Sequence, residues 1–140
     1  MSLHEDIRDG LALSALREVD PFDASIIHCL RAARVAAREG AALPPCGLGR
    51  GFAALDGLLT ENGVRPLEIL DPGAAGVSAD EASLARFIRA AAEGERDEAL
   101  MLGFEILRAD IAFMSLTLAR DLGLGLRRAA LRRGRGPRLH

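Results

Sequence analysis

The sequence predicts an all-α fold: a compact bundle of about five helices around a long, mostly buried C-terminal helix at about 95–122, with an irregular Pro/Gly segment at 64–76. Three observations carry this expectation. Ala and Leu supply 25 and 23 of the 140 residues, whereas the β-branched set is only 4 Val, 7 Ile and 2 Thr, a balance that favours helices over a sizeable sheet. Apolar residues recur at three- and four-residue intervals in successive segments, which gives each helix one stripe to bury. The region from Glu95 to Leu122 carries more apolar positions than one stripe holds, so it must be covered on several sides.

Taken in order, Ser2 and Glu5 have capping-box spacing for a first helix reaching Val19, with Leu3, Ile7, Leu11 and Ala15 on one line. Asp20-Pro21 ends that pattern and opens a second helix, which closes at Glu39-Gly40. Its core face is Ile26, Ile27, Leu30, Ala33 and Ala37, and Arg31, Arg34 and Arg38 form a basic edge toward the negative end of the helix dipole. Residues 40–51 hold four Gly and two Pro and turn the chain into a third helix, about Gly49–Glu61, that buries Phe52, Leu55, Leu58 and Leu59. Asn62-Gly63 closes it. Pro66 and Pro72 bracket Leu67–Leu70, an extended stretch or a single turn. Ser78-Ala-Asp-Glu81 is a second capping box and introduces Leu84, Phe87, Ile88 and Ala91 on a helix that stops near Gly94.

The last helix, about 40 Å long if continuous, has a surplus apolar face. A chain of this size buries only about two-thirds of its unfolded surface, so that surplus is expected to be covered by a second copy. The predicted contacts of the homodimer are Phe104, Ile111, Phe113, Met114 and Leu118.

Charge is distributed unevenly. The net −2 is the sum of an Arg120–His140 stretch with seven Arg and one Asp and a 1–119 body with 11 Arg and 19 acids; the chain has no Lys. A boundary is therefore expected after residue 123, with 124–140 an Arg-rich arm, flexible or partner-bound. Arg127, Arg128, Arg132, Arg133 and Arg135 are its candidate contacts with a polyanion or an acidic protein surface. Nucleic acid is not favoured: the body is acidic, and no aromatic residue follows Phe113 to stack on bases. Coding bias that replaces Lys with Arg, leaving a merely solvated tail, is the plainer account. The N-terminus lacks the layout of a secretory signal and no window is apolar enough for a membrane span, so a cytoplasmic protein with Cys29 and Cys46 reduced is expected.

The residues offer little chemistry. His4, His28, Cys29, Cys46 and His140 include no pair at metal-ligand spacing, and no cofactor is implied. No nucleophile elbow accompanies the serines. Gly47, Gly49 and Arg50 resemble an anion-cradling loop at a helix start, but a preceding strand and a Lys are both missing. Asp110, central in the long apolar helix, is expected to face the core, gripping Arg34 or Arg86 or binding a ligand.

The expected function is thus a non-catalytic interaction, accessory or regulatory protein that self-associates. A small-ligand or anion-binding bundle using Arg50, Gly47, Gly49, Asp110 or the Arg31, Arg34, Arg38 edge is the first alternative. Polyanion binding through the arm is the second. An enzyme is least expected, since acids and Arg alone do not make a mechanism.

Overall fold

Asp20 starts the first helix, α1 (Pro21–Glu39), by accepting a hydrogen bond from the Phe22 amide at 2.8 Å, and Pro21 takes the position where a missing N–H costs nothing. Gly40 stops it with φ 63°, the left-handed cap. In this computed structural model, which describes residues 14–40 and 47–135, four more helices follow: α2 (Gly47–Asn62), α3 (Ala79–Ala92), α4 (Arg96–Ile106) and α5 (Ala109–Arg135). The fold is the expected all-α bundle. Its only regular extended pairing among the described residues beyond an isolated bridge is β1 (Ser14–Ala15) against β2 (Gly76–Val77), antiparallel, with Ser14 opposite Val77.

The core is one apolar cluster. Ile26, Ile27 and Leu30 of α1 meet Phe52, Leu55 and Leu59 of α2 and Leu84, Phe87 and Ile88 of α3, and α5 lays Ala112, Leu116, Ala119, Leu122 and Leu126 across them. Small residues set the closest helix approach. A Cβ on Gly123 would lie 2.6 Å from the Ala92 Cβ and 3.2 Å from the Ile88 carbonyl oxygen, so α5 reaches α3 at a distance that only glycine permits.

Residues 64–77 have almost no regular structure, and their backbone is held by two acids in the first turn of α3. Ser78 and Glu81 form the expected capping box. Glu81 accepts in addition from the Leu70 amide at 3.0 Å, and Asp80 accepts from the Glu68 amide at 2.7 Å. Arg65 donates twice to Asp80, at 2.7 and 3.0 Å. This hydrogen-bonded guanidinium holds the Asp80 carboxyl below its usual range against the opposing effect of burial, and the Glu68 amide assists.

Several expectations are corrected. Residues 14–19, placed on the first helix, form β1 and a single 3-10 turn at Leu16–Glu18, because the Leu16 amide bonds the Ala75 carbonyl instead of a preceding turn. The rest of that helix lies outside the described residues. Arg31, expected on an exposed edge, is fully buried, and Ala36 rather than Ala37 completes the core face of α1. Leu58 is half-buried.

The predicted 95–122 helix is two helices. Leu107 is extended (φ −128°, ψ 155°) and bridges Gly63. Val64 N–H donates to Ile106 O at 3.2 Å and Arg108 N–H to Asn62 O at 3.1 Å. The Arg108 side chain also donates to Asn62 Oδ1 at 3.1 Å. A tertiary pairing thus supplies the break that no local residue signals. Gly63 allows it, since a Cβ there would lie 2.5 Å from the Leu59 carbonyl oxygen.

At its other end α5 continues through Arg135, past the boundary expected after residue 123. Gly123 and Gly125 read as helix-weakening, yet both are held where α5 touches α3 and α2, and that packing outweighs their propensity cost of about 1 kcal/mol each.

Candidate interaction surface

The chain reversal at Leu107 and Arg108 folds α4 and α5 into a hairpin with one buried and one exposed side. Inward go Ala99, Leu102, Gly103 and Ile106 of α4, and Ala112, Ser115, Leu116 and Ala119 of α5. Gly103 and Ala112 are small where the two helices cross, within 3.2 Å of each other if a Cβ is placed on Gly103. With the crossing filled by small residues, the large side chains at neighbouring positions are turned outward. Met101 is 69% exposed, Phe104 40%, Phe113 51% and Met114 73%. The Phe104 and Phe113 rings meet edge to face with centroids 5.6 Å apart, an apolar contact between the two helices. Ile111 and Leu118 are partly buried against the core. Exposed Glu105, Arg108 and Asp110, between Phe104 and Phe113 in sequence, add both signs of charge to the hairpin.

Of the predicted self-association residues, Phe104, Phe113 and Met114 are therefore on the surface, and Ile111 and Leu118 are partly buried against the core. Met101 was not among them. Its signal was present as the three-residue spacing to Phe104, hidden while 95–122 was read as a single helix.

The predicted anion residues are dispersed and mostly neutralised. Arg31 is engaged with Glu81, Arg34 bonds Asp56 at 2.8 Å, and Arg38 bonds Asp71 at 3.3 Å. Asp110 does not face the core. It is exposed in the first turn of α5, where a negative charge suits the helix dipole, and its expected partners Arg34 and Arg86 pair with Asp56 and Glu98 instead. Gly47 and Gly49 belong to the first turn of α2 rather than to a loop, Gly49 is buried and Arg50 is exposed. That turn packs beside Gly125 through Leu48. Asp110 precedes Gly125 by 15 residues on the same helix, about 22 Å away. These residues do not converge. Cys46 and the side chain of Arg135 lie outside the described residues.

The end of α5 borders two concavities. The larger, about 880 Å³, lies between α1, α3, α5 and the start of α4, and its guanidiniums other than that of Arg133 are matched. Arg127 donates to Glu93 at 2.9 Å and its guanidinium carbon stands 4.6 Å from the centroid of the Phe22 ring, a cation–π contact. Arg86 faces Glu98 at 3.4 Å. Arg89, on the same wall, donates to Asp23 at 2.9 Å. Burial pushes the Asp23 carboxyl up from its ordinary value, opposed by Arg89, and among the described residues its Oδ1 is buried without a hydrogen-bond partner. The smaller groove, about 580 Å³, lies between α1, α2 and α5 and is mainly apolar.

No protein-family model, curated protein or solved structure matches the chain. Among the described residues no group of three or more His, Cys, Asp or Glu could hold a metal ion, and no helix is long and apolar enough to cross a membrane.

Proposed function

We propose that this protein is a non-catalytic interaction module that self-associates through the α4–α5 hairpin. The observation that carries the reading is the group of exposed apolar side chains on this hairpin, Met101, Phe104, Phe113 and Met114, with the two rings in contact across it. Large apolar side chains grouped in this way mark contact sites, whereas single exposed ones do not. A second copy is the occupant that the rim favours. Because Glu105 and Asp110 flank the patch together with Arg108, a twofold arrangement sets each sign against the other without a differently charged partner.

Magnitudes suit a concentration-dependent dimer. Fully burying a Met or Phe side chain contributes about 1.5–3 kcal/mol, and those on each face are already half covered. Two faces together supply on the order of 6–12 kcal/mol, against an association cost of about 4–15 kcal/mol. Sedimentation velocity across a concentration series tests the reading. A dimer that dissociates on dilution, and that is lost in Phe104→Glu with Phe113→Glu, is expected. A chain that stays monomeric at several hundred micromolar overturns it.

A further inference from the structure

The groove between α1, α2 and α5 combines an apolar lining with guanidiniums that no carboxylate among the described residues matches. Along α5, Gly125, Arg128, Ala129 and Arg132 recur at three- and four-residue spacing and face it together. Opposite them α1 contributes His28, Cys29, Ala32 and Ala33, and Leu48 and Phe52 of α2 close the floor. Small side chains on two facing helices leave a trough, with an apolar base and cations along one bank. The basic side chains on α1 and α3, and Arg127 on α5, are matched by carboxylates. Arg128, Arg132 and Arg133 have no carboxylate partner among the described residues, although all three line this groove.

An apolar trough with unmatched guanidiniums on its edge is complementary to a molecule with a hydrocarbon body and an anionic end. We propose that the groove binds a single-chain alkyl carboxylate of the fatty-acid class. The chain lies over Leu48, Ala32 and Ala129, and the carboxylate is gripped by Arg128 and Arg132, whose i, i+4 spacing brings two planar donors to one anion. Size decides between this occupant and an acidic peptide helix. The groove follows α5 from Gly125 to Arg133, about 12 Å. A helix 10–12 Å across would fill on the order of 1,000 Å³ over that length, whereas the groove offers about 580 Å³, within the range of small-molecule sites. The buried Phe52 ring offers no open face for a base, which disfavours nucleic acid. This site is separate from the α4–α5 patch and does not depend on self-association.

Equilibrium dialysis of the full chain against laurate below its micellar concentration tests the assignment. One saturable site per chain is expected, with dodecanol binding at least tenfold more weakly and acetate not at all. Arg128→Gln with Arg132→Gln should weaken laurate at least tenfold and leave dodecanol unchanged; both side chains are exposed, so the fold is not at stake. Ala129→Phe should fill the trough and abolish binding, with the circular dichroism melt confirming a folded chain. Absence of saturable laurate binding, equal affinity for laurate and dodecanol, or binding that survives in both variants would each overturn the proposal. So would a dimer in the ligand-free chain that Arg128→Glu with Arg132→Glu dissolves, because the groove would then be a contact between copies.

Discussion

Arg31 donates to both carboxylate oxygens of Glu81, from Nε at 2.7 Å and Nη2 at 2.9 Å, and neither side chain is exposed to solvent. The same guanidinium donates to the carbonyls of Ala74 and Gly76 at 2.9 and 2.6 Å. A buried pair with this bidentate geometry loses far more when one partner is removed than when both are replaced, because the survivor is an uncompensated charge. Arg31→Met is therefore expected to destabilise by about 3–5 kcal/mol. Arg31→Met with Glu81→Met should cost clearly less than the sum of the single changes. Urea unfolding of the four chains, read as a double-mutant cycle, checks this.

Two glycines in helices separate close packing from propensity. Gly123→Ala would press a methyl onto Ala92 and the Ile88 carbonyl and should cost about 1–3 kcal/mol. At Gly57 of α2 nothing lies within 4 Å of an added Cβ, so Gly57→Ala should stabilise by about 0.5–1 kcal/mol. Thermal melts of both variants provide the comparison.

Phe113→Ser removes half of the Phe104–Phe113 contact from the surface. Stability measured under monomeric conditions should change by no more than about 1 kcal/mol, while the dimer constant falls at least tenfold. A large loss of monomer stability would show that the ring belongs to the core.

Two carboxyls give acid responses of opposite sign. Asp80 is held below its ordinary value of 3.8, chiefly by the Arg65 hydrogen bonds, so its stabilisation is present above that pH and is lost as pH falls through the lowered folded value. The advantage of the native chain over Asp80→Asn should accordingly shrink below pH 3.8. Asp23 is raised by burial, so its contribution is full below 3.8 and is lost as pH rises through the raised folded value. Relative to Asp23→Asn, the native chain should therefore lose stability on going upward through that window. Urea midpoints from about pH 2.5 to 7 resolve both trends.

Local signals in the sequence located what local chemistry determines. Asp20-Pro21, Gly40 and the Ser78–Glu81 box place α1 and α3 within a residue or two because each supplies its own cap. The break at Leu107 was not legible, since Leu and Arg are ordinary helix formers and the interruption comes from Gly63, distant in sequence. Burial of Arg31 was likewise hidden, as Arg31, Arg34 and Arg38 share helical spacing and only the tertiary placement of Glu81 distinguishes the first. For the candidate surface, the apolar surplus identified Phe104, Phe113 and Met114. The groove is not legible in the sequence because the Arg pairs suggest a separate arm, flexible or partner-bound, while the packing that holds α5 to the body lies on α2 and α3.

The threefold use of Glu81 also governs how the molecule opens. One carboxylate simultaneously caps α3, neutralises Arg31 of α1 and accepts from the Leu70 amide in the irregular segment. Two neighbouring segments and a helix 50 residues away from Glu81 are thereby made a single cooperative unit. The Leu70 amide, in a stretch without helix or strand, is expected to exchange its hydrogen with solvent as slowly as the amides of the core helices, only when the whole domain unfolds.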